Sequence, residues 1–97
     1  MATYIALSNF TDQGIKNVKD STKRAAAAEE AAGRFGARMT QLYWTLGQHD
    51  LVAVIDAPDD ASATAFALTI GMAGNVRTTT LRAFSRDEMS AILSKMG

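Results

Sequence analysis

Apolar side chains recur at two spacings along the chain, and each change of spacing marks a boundary. Residues 3–10, TYIALSNF, carry β-branched and aromatic residues over a strand's length and break at the polar run Thr11-Asp12-Gln13-Gly14. From Asp20 to Phe35 the spacing is helical: Ala25, Ala28, Ala32 and Phe35 share a stripe, Asp20 or Ser21 is placed as N-cap, and Gly36 as the stop. Such small side chains let a backbone lie close to a sheet, but each buries little, so this helix depends on tertiary contact. Met39 to Leu46 alternates, with Leu42, Trp44 and Leu46 on the face predicted to meet the helices and Gln41, Tyr43 and Thr45 on the other. A short connection containing Gly47 leads into Leu51–Ala57, which predicts a hairpin. Leu51-Val52-Ala53-Val54-Ile55 does not alternate at all, the mark of a strand covered on both faces and hence central. Pro58-Asp59-Asp60 ends that strand and caps a helix over Ala61–Met72, with Ala63, Phe66, Ala67 and Ile70 as its stripe and Gly71 and Gly74 closing it. Asn75 to Phe84, with threonines at 78–80, predicts a fourth strand. Ser85-Arg86-Asp87-Glu88 has capping-box form and opens a terminal helix with Met89, Ile92, Leu93 and Met96 on one side.

The order βαββαβα predicts an α+β, ferredoxin-like sandwich: a four-stranded antiparallel sheet with helices on one face. The first strand offers Ile5 and Leu7 to one side and Tyr4, Ala6 and Phe10 to the other, so neither side looks solvated. We assign Tyr4, Phe10, Tyr43 and part of 51–55 to the face without helices, where they form an apolar patch that needs a cover. A second copy of the chain is the simplest cover, and face-to-face pairing of two such sheets gives a dimeric α/β barrel with an enclosed or half-enclosed interior. Residues 1–97 read as one domain of this kind.

Composition narrows the function more than it defines it. Of 97 residues, 47% are hydrophobic and 21% charged, an ordinary globular balance that excludes disorder, collagen and coiled coil. Ten basic residues match ten acidic ones, so neither nucleic acid nor an anionic membrane is an expected partner. There is no cysteine and one histidine, His49, which removes disulfides, thiolate chemistry and the usual metal motifs; no metal and no cofactor is expected. No apolar run is long enough to cross a bilayer and the N-terminus lacks the form of a signal peptide, so a cytoplasmic location is expected.

The most chemical pair is His49-Asp50, because a carboxylate beside an imidazole can fix its tautomer and raise its basicity. In a hairpin the same aspartate serves equally to bond turn backbone. Thr78, Thr80 and Arg82 share a strand face by period two, as do Tyr43 and Thr45. If those faces line the barrel interior, hydroxyls and a guanidinium converge on a cavity for a small anionic or aromatic ligand. Asn9, Thr11 and Asp12 rim it or simply turn the chain. Gly33-Arg34-Phe35-Gly36 and Gly71-Met72-Ala73-Gly74 read as helix ends rather than an RNA or phosphate loop. Lys16, Lys19, Lys23 and Arg24, offset by Asp12 and Asp20, read as solvated surface.

TYIALSNFTDQGIKNVKDS at 3–21, LYWTLGQHDLVAVIDAPDD at 42–60 and GNVRTTTLRAFS at 74–85 together resemble the GYD domain family, over nearly the whole chain. Gly47 and Asp50 match the Gly-Tyr-Asp hairpin signature, whereas His49 stands where the family has tyrosine. The resemblance implies a small bacterial-type protein of the dimeric α/β barrel group. The function expected is that of a homo-oligomeric structural or small-molecule-binding protein, with itself and a small organic ligand as partners. The alternative is a cofactor-free oxygenase or isomerase with its site inside the barrel, for which His49, Asp50 and Asp56 are the available bases.

Overall fold

In a computed structural model that describes residues 1–97, the chain runs β1 (Ala2–Phe10), α1 (Asp12–Lys16), a 3-10 turn (Val18–Asp20), α2 (Ser21–Gly33), β2 (Arg38–Trp44), β3 (Leu51–Ala57), α3 (Asp60–Met72), β4 (Val76–Ala83) and α4 (Arg86–Ser94). The strands form one antiparallel sheet in the order β2-β3-β1-β4, the ferredoxin-like arrangement. β3 is an interior strand, as its unbroken apolar run predicts. The segment 11–20, whose Thr11–Gly14 start reads from sequence as a polar break, holds α1 and the 3-10 turn; α1 is short and contains Gly14, so it carries no helical periodicity to read.

Register fixes which side chains share a face. Tyr4 lies opposite Ile55 and Arg82, and Ala6 opposite Ala53 and Thr80, so the helix side carries Tyr4, Ala6, Ser8 and Phe10 of β1. Ile5 opposite Val54 and Leu7 opposite Val52 lie on the open side. The assignment of Tyr4 and Phe10 to the open face is therefore corrected: they lie beneath the helices, and the open apolar strip is Ile5, Leu7, Val52 and Val54. Both faces of β1 are apolar, so alternation separates two sets without saying which one meets the helices. β2 changes parity at a bulge between Met39 and Gln41, after which Leu42 and Trp44 lie on the helix side and Tyr43 on the open side. Leu46, expected beside them, is fully exposed beyond the end of the strand.

The core is thin and built of small residues. Tyr4, Ala6, Ala32, Ala37, Ala53, Ile55, Ala57, Ala63 and Phe66 are buried, and Phe35 meets Phe66 with ring centroids 6.2 Å apart. α4 adds nothing to it: Met89, Leu93 and Met96 of its stripe are exposed.

Carboxylates cap two of the helices. The Asp59 side chain accepts from the backbone N–H of Ser62 at 2.8 Å at the start of α3. Ser85 and Glu88 form the predicted capping box, with Ser85 N–H donating to Glu88 at 2.9 Å and Glu88 N–H donating to Ser85 Oγ at 3.1 Å. The backbone N–H donors hold both carboxyls below their ordinary values of 3.8 and 4.5. Folding thus favours the ionised caps: their contribution is complete above the ordinary values and disappears as pH falls through the lowered folded ones. We expect the backbone amides of Glu88 and Met89 to lose hydrogen-exchange protection on acidification below pH 4.5, and Glu88→Gln to flatten that response. An unchanged profile in the variant would assign the acid sensitivity elsewhere.

Candidate functional site

The hairpin end of β2 and β3 is tied to the end of β1, and the bonds account for the local sequence. Thr45 N–H donates to the Asp50 carbonyl at 2.8 Å, and Asp50 N–H donates to the Ser8 carbonyl at 2.9 Å. The Asp50 carboxylate accepts from Phe10 N–H at 2.9 Å. The Thr45 hydroxyl donates to the His49 carbonyl at 2.6 Å. Asn9 bridges the loop: its amide donates to the Gln48 carbonyl at 2.6 Å and its oxygen lies 3.0 Å from His49 Nδ1. With the amide so oriented, His49 Nδ1–H donates to Asn9 Oδ1 and Nε2 is left without a protein partner.

His49 and Asp50 are both half-buried at the loop and bond different partners. The Asp50 carboxylate bonds backbone as anticipated, but that of Phe10 at the end of β1 rather than the hairpin's own turn, and it does not contact the imidazole through any hydrogen bond. We expect Asp50→Ala to lose about 1 kcal/mol, because the partly buried N–H of Phe10 loses its acceptor. His49→Ala removes one side-chain bond and should lose only about 0.5 kcal/mol. Urea midpoints at fixed protein concentration measure both, and a reversed order would make the imidazole the structural member of the pair.

The other sequence candidates do not converge. Tyr43 is exposed on the open face and Thr45 in the hairpin, whereas Thr78, Thr80 and Arg82 lie on the helix side of edge strand β4. The common cavity anticipated for all five is not formed within the chain, because Tyr43 lies on the open side as expected while the register of β4 on β1 turns Thr78, Thr80 and Arg82 to the helix side. Thr78 Oγ1 lies 2.8 Å from Ser8 Oγ. Arg82 stacks on the Phe84 ring at 4.5 Å and the Tyr4 ring at 5.6 Å, bonds the Thr3 carbonyl at 3.2 Å, and lies 3.7 Å from Glu88. Asp56 accepts from the Thr3 hydroxyl at 3.2 Å and pairs with Arg38 at 3.9 Å.

An apolar concave feature lies on the other side of the sheet from the one anticipated. A cleft of about 340 Å³ opens between α2, α3 and the sheet. Its walls include Ala28, Ala31, Phe66 and Ile70, its floor includes Ala6 and Ala53, and Thr78 and Thr80 border it along β4. Arg24 and Arg34 are its only charged lining residues. At one end Ser21 Oγ, which lines the cleft, accepts from Trp44 Nε1 at 2.8 Å. Tyr4 on the floor donates its hydroxyl to Asp60 at 2.5 Å; that bond, then burial, hold the phenol above its ordinary value of 10.0. The sequence signal for this cleft is the stripe Arg24, Ala28, Ala31, Arg34, an alanine face with an arginine at each end, which periodicity alone presents as packing surface.

The GYD domain model matches residues 4–93. The "Glutamine synthetase and cystathionine beta-lyase binding protein" of Thermus thermophilus is 33% identical over 94 residues, covering 96% of this chain and 99% of that protein. Among solved structures, TTHA0845 from Thermus thermophilus is similar with a TM-score of 0.57 and 25% identity, covering 88% of this chain and 95% of the other. FFRP-DM1 shares the fold with a TM-score of 0.61 at 19% identity, over 87% of this chain and the whole of the other. With the signature region, the sheet order and these matches agreeing over almost its entire length, the chain belongs to the GYD domain family.

Proposed function

We propose that this protein is a non-catalytic, homo-oligomeric binding protein of the cytoplasm, one GYD-like domain that pairs with itself through its open sheet face and acts on protein partners. The observation that carries the reading is the uncovered face. Ile5, Leu7, Val52 and Val54 form its centre, with Thr3, Arg38 and Asp56 at one end and Asn9 with the His49 hairpin at the other. An apolar centre within a polar rim is the anatomy of a protein interface.

Surface area supports it. The chain exposes 6580 Å², about 1,200 Å² more than the roughly 5,400 Å² usual for its 10.3 kDa. A standard interface removes about 800 Å² from each partner. The excess is of the size a second copy would cover, and α4 with its exposed apolar stripe adds to the surface available.

The name of the Thermus relative supports protein partners as the targets. Two of the three candidate bases are engaged, which supports binding over an oxygenase or isomerase: Asp50 holds the Phe10 backbone, and Asp56 accepts from Thr3 beside Arg38.

Light scattering at micromolar concentration should give at least twice the chain mass, and a stable monomer would refute self-association. Titration against purified glutamine synthetase and cystathionine β-lyase from the same source should give saturable binding to at least one of them. Binding to neither would refute the partner reading.

A further inference from the structure

We propose that the cleft between α2, α3 and the sheet is a binding site for an apolar monocarboxylate, its hydrocarbon body against the alanine walls and its carboxylate on Arg34. The proposal deepens the binding role above and rests on it, but it uses the opposite side of the sheet from the self-association face.

Volume, lining and charge lead to the ligand. At about 340 Å³ the cleft falls at the small end of the ~300–1,000 Å³ range of ligand pockets, which suits one small molecule. Protein interiors are close-packed, and an apolar gap of this size forfeits dispersion contacts along every wall. Here alanines at 28, 31 and 67 keep the gap open where longer side chains would close it. The occupant is therefore apolar over most of its surface.

Its polar end is set by what the cleft lacks as well as by what it holds. No carboxylate lines it, so an ammonium or a zwitterionic amino acid finds no anionic partner there. Arg24 is already engaged by the carbonyls of Asn17 at 2.7 Å and Gly14 at 3.3 Å. The Arg34 guanidinium, by contrast, makes no hydrogen bond and no ion pair, since the two ion pairs of the chain use Arg38 and Arg82. One free guanidinium matches one negative charge, and its two parallel N–H donors match a carboxylate. Arg24 adds positive charge to the cleft, but with its guanidinium held by the two carbonyls Arg34 is the one left to turn to the ligand.

Sodium decanoate and decan-1-ol, titrated separately into the full-length protein, test this with the single tryptophan as reporter, because Trp44 is bonded to a cleft-lining serine. Decanoate is expected to bind at least tenfold more tightly than decan-1-ol. Arg34→Gln should remove most of that preference while leaving the alcohol unchanged, and Ala28→Phe should weaken both at least tenfold. Backbone amide shifts should centre on Ala28, Ala67 and Thr80, an observation that stands even where Ala28→Phe fails to fold. Equal affinity for acid and alcohol, shifts confined to the Ile5–Val54 face, or methyl contacts in the free protein between Met89 or Ile92 and Ala28 would each overturn the proposal. The last would mean that the terminal helix fills the cleft. Light scattering on the same samples separates the claims: an oligomer that ignores decanoate defeats this proposal alone, and a monomer that binds it defeats self-association alone.

Discussion

Gly14→Ala should destabilise the fold by about 3 kcal/mol, the upper part of the range for overpacked sites. A Cβ at position 14 would stand 1.9 Å from the Asn75 carbonyl oxygen and 2.9 Å from its carbon, and both are backbone atoms that cannot rotate away. Asn75 is itself fixed: its carbonyl accepts from Thr11 N–H at 3.1 Å, and the Thr11 hydroxyl donates to the Gly74 carbonyl at 2.5 Å while accepting from Gly14 N–H at 3.1 Å. This node joins the end of β1, the short α1 and the connection from α3 into β4. Relief of the clash must therefore break bonds on both sides of it. Gly33→Ala is the matching control. It lies in the last turn of α2 with nothing within 4 Å of an added Cβ, and it should raise stability by up to about 1 kcal/mol through helix propensity and a less flexible unfolded chain. Urea denaturation of both variants gives the comparison, and a Gly14→Ala midpoint equal to wild type would show that the node yields.

Gly14 also shows where sequence reading stops. Strand and helix positions are legible because their periods differ: Leu51–Ala57 reads with its observed bounds, and the Ser85–Glu88 box is recognisable without its two bonds. The five-residue α1 is not, because it is too short to repeat and its one buried residue is a glycine. The faces are harder still. Alternation groups Tyr4, Ala6 and Phe10 together correctly but leaves their side open, since β1 is apolar on both sides and only the packed helices break the tie. The anticipated meeting of Tyr43 with Thr78 and Thr80 fails for a long-range reason: Tyr43 lies on the open side as expected, but the register of β4 on β1 turns Thr78 and Thr80 to the helix side, and relating the two needs all four strands. That Asp50 bonds backbone is legible from its residue type, but its partner is not: its carboxylate holds Phe10 N–H and His49 meets Asn9, each forty residues away on or at the end of β1.

Val54→Glu should abolish self-association while leaving the chain folded, and this separates an interface from a mere solvent-facing sheet. Val54 lies on interior strand β3 directly opposite Ile5, with Val52 and Leu7 as the next pair on the same open side. In a face-to-face dimer related by a two-fold axis, one substitution introduces two carboxylates into the apolar centre. Neither has a cation beside it there, because Arg38 pairs with Asp56 at the edge of the strip. An uncompensated buried charge costs several kcal/mol, so the dissociation constant should rise by at least ~100-fold, equivalent to about 3 kcal/mol. Within one chain the glutamate faces water, no helix covers it, and the buried residues Tyr4, Ala53, Ile55 and Phe66 all lie on the other side of the sheet. The far-ultraviolet spectrum should thus survive at concentrations where the mass falls to that of one chain. Thr22→Glu, on the exposed first turn of α2, adds the same charge away from the strip and should leave the mass unchanged. An intact oligomer in Val54→Glu would move the self-association surface to another face, with the apolar stripe of α4 as the next place to test.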